Sequence, residues 1–428
     1  LVDGGEVAEG LGELSRFDQW FGHEVSTLPV SPGAADGSRS PGAPRYHHHM
    51  GPLEGIRVLE MAGIGPGPFC GMLLSDLGAE VTRVDRVAAG GGGLPAPLAA
   101  LSGRGRRSIG VDLKQPRGVA IVLDLVAEAD VFVEGFRPGV AERLGLGPEV
   151  CGERNPRLVY GRMTGWGQNG PLAARAGHDI NYVGLTGALH GIGREGERPV
   201  PPLNLVADYG GGALFLAVGV LAALVERGRS GRGQIVDAAM VDGAALLTSP
   251  LYQLLAAGMW VDQRGSNILD GAAPFYDTYE TGDGRFVAVG PIEPQFYREL
   301  VVGLDLDPAG LPDQLDPSTW REVKEAFAAR FRTRTRDEWE ETFAESDACV
   351  TPVLSLSEAP HHPHNVARGV FVEIDGVVQP GPAPRFSRTV TEMPRPPVPP
   401  GTDTDQVLSE LGFTGSDIAD LRAAGVVA

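Results

Sequence analysis

From Ile56 onward, short runs of branched apolar residues alternate with helical stretches. The runs are "IRVLEM" (56–61), "AEVTRVD" (79–85), "SIGVDL" (108–113), "ADVFVEG" (129–135) and "RLVYGRM" (157–163), with a helical pattern at 116–128. The first reads as a buried strand by its branched residues, and the others follow it as strands. Strands that alternate with helices pack as a parallel sheet wrapped by helices. The expected fold class is therefore α/β, with a large Rossmann-like domain.

The first turn, "AGIGPGP" (62–68), follows the first strand where a dinucleotide fingerprint would lie. Its glycines read G-x-G-x-G, and Pro66 and Pro68 remove N–H groups that a phosphate loop needs. Asp85 sits about where a ribose-binding acid would, yet the glycine pattern argues against a dehydrogenase. Further along, the texture changes. "GAAPFYDTYETGDGRFVAVG" has a Gly-Asp-Gly hairpin signal at 282–284, and helical patterns follow at 294–303 and 318–346. These predict a smaller α+β domain. The expected division is an extension at 1–49, a large domain at 50–245, a connecting helical segment at 246–269, the small domain at 270–370, and a return segment with C-terminal helices at 371–428. Within the return segment, "RPPVPPGTD" (395–403) reads as a stiff extended linker.

With 428 residues, 42% of them hydrophobic, the chain can bury more than one core. A formal net charge of −19 argues against a nucleic-acid partner, and any anionic ligand needs a local basic patch. Arg83, Arg86, Arg104, Arg106, Arg107, Lys114 and Arg137 are the candidates for that patch. The cysteines, Cys70, Cys151 and Cys349, show no zinc or disulfide spacing, so no metal is expected and an intracellular setting is. That setting is the cytoplasm in a bacterium, and a peroxisome or mitochondrion in a eukaryote. Residues 1–49 match neither a secretory nor a mitochondrial address, and they read as a flexible or non-native extension. No apolar run approaches the roughly 20 residues of a membrane span without a Gly or a charge, and "ALFLAVGVLAALV" (213–225) reads as a buried helix, so no membrane partner is expected.

Three ionisable residues sit among apolar and backbone-permissive neighbours: His178 in "GHDINY", Asp208 in "PLNLVADYGGG" and Glu293 in "VGPIEPQF". Each has a bland reading beside the chemical one. His178 could be a hydrogen-bonded core residue, Asp179 a turn residue, Asp208 the N-cap of the helix expected at 209–228, and Glu293 the cap of the helix at 294–303. Spacing alone does not bring them together.

The ordered segments "AGIGPGPFCGMLLSDLGAEVTRVDR", "GRRSIGVDLKQPRG", "LVYGRMTGWGQNGP", "AGHDINY", "PLNLVADYGGG", "GQIVDAAMVDG", "APFYDTY", "VAVGPIEPQFY" and "SDACVTPVL" resemble the α-methylacyl-CoA racemases of the family III CoA-transferase superfamily. The resemblance runs from Met50 almost to the end. It implies inversion at the α-carbon of a 2-methyl-branched acyl-CoA thioester, with the CoA as part of the substrate and no further cofactor. Inversion needs proton removal on one face and delivery on the other, through an enolate whose oxygen must be stabilised. The resemblance assigns the two bases to His178 and Asp208, and an orienting carboxylate to Glu293. It places CoA contacts at Arg86, Val111, Asp112, Leu113, Lys114, Arg137, Gly177, Asp179, Ile180, Asn181 and Tyr182. It also implies an interlocked homodimer whose active sites combine the large domain of one subunit with the small domain of the other.

Two alternatives stand beside this reading. A CoA-transferase of the same superfamily would use Asp179 as a nucleophile, and His178 next to it favours the racemase. A non-catalytic acyl-CoA binding protein would have no need of all three ionisable residues.

Overall fold

The structure is a computed structural model and describes residues 51–87 and 102–428. The extension at 1–49, and most of the Gly-rich stretch between Arg86 and Arg104, lie outside the described residues.

Six parallel strands form the main sheet: β1 (Arg57–Met61), β2 (Glu80–Asp85), β3 (Arg106–Gly110), β4 (Val131–Glu134), β5 (Val159–Thr164) and β6 (Ile235–Ala239). Their order is β3-β2-β1-β4-β5-β6, the doubly wound order, which is α/β as the alternation predicted. One core lies on each side of the sheet. The first contains Val58, Val81, Val131, Val133, Val159, Leu216 and Val220. The second contains Leu59, Ile109, Val122, Phe132, Tyr160 and Leu408. Helix α1 (Pro66–Asp76) links β1 to β2, and α2 (Pro116–Glu128) links β3 to β4. Strand order reverses between β1 and β4, so the turns leaving their C-terminal ends diverge and open a crevice there.

After β5, a short helix α3 (Asp179–Leu185) is followed by a π-helical turn (Leu205–Ala213) that runs directly into α4 (Leu214–Ser230). The apolar helix is thus longer than the expected 209–228. Leu205–Ser230 spans 26 residues and contains an 18-residue window with a mean hydropathy of 1.7, long and apolar enough to cross a membrane, although Asp208 and several glycines interrupt the run. Here its inner face, through Leu216, Ala217, Val220 and Ala223, packs into the first core. Buried Arg227, near its end, donates to Asp130 Oδ1 at 2.8 Å and ties α4 to the start of β4. Helix α5 (Met240–Leu247) continues from β6, and α6 (Ser249–Ala256) follows.

A second, antiparallel sheet, β7 (Asp277–Glu280), β8 (Phe286–Val289) and β9 (Val350–Pro352), has the expected hairpin at 281–285. Helices α7 (Pro294–Gly303), α8 (Trp320–Phe331) and α9 (Arg336–Phe343) enclose with it a core of Tyr279, Val287, Leu300, Phe327, Phe331 and Trp339. A small hairpin, β10 (Phe371–Ile374) and β11 (Val377–Pro380), precedes the return of the chain to the large sheet.

Residues 395–403 are not a free linker. The chain is extended there but bonded to the sheet: Gly105 N–H donates to Arg395 O at 2.8 Å, and Asp403 N–H to Ser108 O at 2.8 Å. The last helices, α10 (Thr404–Glu410) and α11 (Gly415–Ala423), then carry the C-terminal residues back across β3, where Val427 bridges Val111.

Candidate functional site

The crevice between β1 and β4 gathers His178, Asp179 and Asp208. The β1–α1 turn ends at Gly65, whose φ of +73° suits glycine, and a Cβ there would lie 3.7 Å from Asp208 Oδ2. Helix α1 begins with Pro66, and Pro68 follows within its first turn, so that end lacks the free N–H pairs that cradle a pyrophosphate. Asp85 Oδ2 is already taken by Arg83 Nε at 2.7 Å and by Ser108 Oγ at 2.6 Å. A doubly wound sheet is present, but its nucleotide-binding chemistry is not.

His178 is the N-cap residue of α3, with extended backbone, and its N–H donates to Asn181 Oδ1 at 3.0 Å. Its side chain is exposed, which sets aside the core-histidine reading. Gly177 has a packing reason: a Cβ there would meet Tyr182 Cε1 at 2.8 Å and Trp166 Cζ2 at 2.9 Å. Those two rings pack edge to face, with centroids 4.6 Å apart, a geometry worth about 0.5–1.5 kcal/mol beyond burial. Tyr182 is thus a buried core ring, and burial raises the pKa of its phenol. Ile180 and Asn181 are exposed beside it on α3.

Asp208 is not an N-cap. It is the fourth residue of the π-helical turn, and Asn204 holds the cap position. The Asn204 side-chain amide donates to Asp208 Oδ2 at 3.2 Å. The capping carboxylate comes instead from Asp179, whose Oδ2 accepts from Ala207 N at 2.7 Å and Asp208 N at 2.9 Å. Burial is the main cause that raises the Asp208 pKa above the usual carboxylate value, and the charge of Asp179 adds to it. The Asn204 amide and the charge of His178 oppose that rise. A carboxyl whose pKa is raised by burial, beside an exposed imidazole, is a pairing suited to acid–base chemistry.

Glu293 occupies the N-cap position of α7, yet its carboxylate makes no capping bond and is exposed, so the bland reading does not describe it. Among the described residues no hydrogen bond joins it to His178, and the charges that act on Asp208 come from Asp179 and His178. Within one chain, Glu293 belongs to the second sheet rather than to this cluster.

The basic patch shrinks in the structure. Arg83 pairs with Asp85, Arg104 with Asp76 at 2.6 Å, and Arg106 with Glu60 at 2.6 Å, all buried. Arg107 bonds Glu80, Glu410 and Thr82. These four hold the sheet together and are not available to a ligand. Arg86, Lys114 and Arg137 remain exposed, without a side-chain ion pair among the described residues. Arg86 follows the end of β2, and Arg137 lies just past β4, near enough for its charge to act on Tyr182. Val111 is 1% exposed, so its side chain is core; Leu113 packs against the same core. Asp112 forms a tight turn, with Oδ1 accepting from Lys114 N at 3.0 Å and Oδ2 from Gln115 Nε2 at 3.1 Å. Those bonds lower the Asp112 pKa.

Among the described residues no three His, Cys, Asp or Glu side chains gather to hold a metal. Reading the sequence missed Asn204 and Trp166. The i, i+4 spacing in "NLVAD" was a signal for Asn204; nothing local pointed to Trp166.

Residues 53–404 match the sequence model described as CoA-transferase family III. The α-methylacyl-CoA racemase of Mus musculus is 49% identical over 379 residues, covering 88% of this chain and 97% of that protein. The α-methylacyl-CoA racemase of Homo sapiens is 47% identical over 378 residues, with the same coverage. A crystal structure of a CAIB/BAIF family protein from Brucella suis superposes with a TM-score of 0.74 at 26% identity, covering 85% of this chain and 100% of that one. A match through the large sheet, the second sheet and the start of the return segment leaves one assignment: the chain belongs to CoA-transferase family III.

Proposed function

We propose that this protein is an α-methylacyl-CoA racemase. It inverts the α-carbon of 2-methyl-branched acyl-CoA thioesters with His178 and Asp208 as the two bases. The observation that carries the reading is the coupling of those two groups in one crevice, with Asp208 pushed by burial towards working pH. One base takes the α-proton, the electrons pass into the thioester to give an enolate, and the other returns a proton to the opposite face. Asn181 N already donates to His178 O at 2.8 Å, so the Asp179 and Ile180 amides are the first-turn donors left to meet the enolate oxygen. Apolar Ile64, Ile180 and Leu205 are exposed around the pair and suit a branched acyl chain. Arg86, Lys114 and Arg137 suit the phosphates of CoA, with the backbone of 111–114 and 177–182 along the path. The reaction draws on no cofactor besides the CoA of its substrate.

The protein acts as a homodimer in this reading, with Glu293 of one subunit facing His178 of the other. Exposed Leu214, Val218 and Val225 lie on one face of α4, and Leu246, Leu247 and Tyr252 are exposed on α5 and α6. Such an apolar surface suits a second copy of the chain. The test is to incubate a single enantiomer of a 2-methylacyl-CoA in D2O without an acyl acceptor. Racemisation with deuterium uptake at the α-carbon is expected. Transfer of CoA to an added free acid would indicate the transferase instead, and binding without exchange a carrier.

A further inference from the structure

We infer that Asp179 is a positioning residue: its carboxylate grips the backbone of the π-helical turn and so sets Asp208 against His178. The inference rests on the racemase reading for the role of Asp208, but its geometry stands independently. Asp179 is 4% exposed. One of its oxygens takes the N–H groups of two consecutive residues, Ala207 and Asp208, at 2.7 and 2.9 Å. Two bonds to adjacent amides fix the plane of the peptide between them, and with it the direction in which the Asp208 side chain leaves the chain. The other oxygen, Oδ1, is enclosed without a hydrogen-bond partner. An enclosed carboxylate oxygen without a partner is costly, and the cost is offset where the charge strengthens bonds at a helical N-terminus. Because Asp179 directly follows His178, the same residue links both bases covalently and by hydrogen bonds.

This arrangement also argues against Asp179 as a nucleophile. Attack on a thioester carbonyl would require an exposed oxygen with a free lone pair. Here Oδ2 is committed to two amides and Oδ1 is shut away.

The groups that face the Asp208 carboxyl can be named element by element. Helix α3 contributes His178, Asp179 and Tyr182. The start of α1 presents Gly65 and Pro66; its Asp76 is bound to Arg104 at the far end. Helix α5 approaches through Gly243, and its Asp242 acts on Asp237. The charges of α4, Glu226, Arg227 and Arg229, lie at its other end. Asp179 is therefore the negative charge that raises Asp208, and removing it moves the Asp208 limb of the pH–rate profile to lower pH.

The experiment compares wild type, Asp179→Asn and Asp179→Ala in α-proton exchange, with hydrogen exchange of the Ala207 and Asp208 amides as a readout independent of activity. Asn retains an acceptor and the shape. It should keep the fold, lower kcat by roughly 10-fold, leave KM within about two-fold, and move the Asp208 limb downward. Ala should lower kcat by up to about 100-fold and deprotect both amides. A wild type that exchanges, with variants that keep its kcat, limb and amide protection, would overturn the inference. So would variants that change only the melting temperature, or an Asp179 hydroxamate formed when hydroxylamine is added to wild type with acyl-CoA. A wild type that does not exchange overturns the racemase reading instead, and amide protection lost in Asp179→Ala would still support the grip.

Discussion

At the scale of single residues, Asp208 shows how burial raises the pKa of a carboxyl beside a histidine, as the proposed reaction requires. Replacing His178 by Ala or Asp208 by Asn should each reduce racemisation by roughly 10²–10⁴-fold, measured as circular dichroism change or chiral chromatography of the product. The two losses should be non-additive in the double variant, because the groups act as one unit. Asp208 also has a consequence for stability. Its pKa is raised in the folded state, so the folded protein holds a proton that the unfolded chain releases. Stability from this group is therefore present below the usual carboxylate value and falls as pH rises through the raised one. Asp208→Asn removes that dependence and should raise the melting temperature at neutral pH even as it lowers activity; an equal or lower value at neutral pH would show that the Asn204 contact outweighs it. "GHDINY" and "NLVAD" were readable as candidate sites in the sequence. That Asp179, and not Asp208, supplies the cap was not readable, because the bonds span 28 and 29 residues.

At the scale of elements, the π-helical turn depends on glycines that bring backbones into contact. A Cβ on Gly243 would meet Gly211 O at 1.8 Å, and one on Gly211 would meet Ala244 N at 2.4 Å. Gly243→Ala should therefore push α5 from the turn, cost about 1–3 kcal/mol in chemical denaturation, and lower kcat more than it raises KM. The strands and α2 were legible from apolar runs, since burial on both faces leaves a continuous signature. The fate of the arginines was not. Arg104 and Arg106 look like Arg86 in sequence, and only the fold shows that Asp76 and Glu60 meet the first two. Arg86→Ala should raise KM for acyl-CoA with little change in kcat, and added salt should weaken wild-type binding in the same direction. An unchanged KM would remove Arg86 from the phosphate path.

At the scale of the whole molecule, His178 precedes α3 beside the large sheet and Glu293 precedes α7 beside the second, and the proposed sharing of the site between subunits can be tested directly. Mixing inactive His178→Ala and Glu293→Gln proteins should restore part of the activity after exchange of subunits. No recovery, with exchange shown by mass spectrometry, would place both residues in one chain's site.

The return of the chain to β3 bears on how the protein is made. Ser108 and Gly110 are bonded to Asp403 and Thr404 across 295 and 294 residues, and Val111 forms a bridge with Val427. On a ribosome adding about 5–20 residues per second, that edge waits open until nearly all the chain has emerged. The long loop must then close late, which slows folding. An open edge next to a buried apolar strand is the part of the nascent protein most exposed to wrong pairing. The ribbon at 111–112 therefore reaches its final shape only when residues 426 and 427 have left the exit tunnel, long after its own residues have been made.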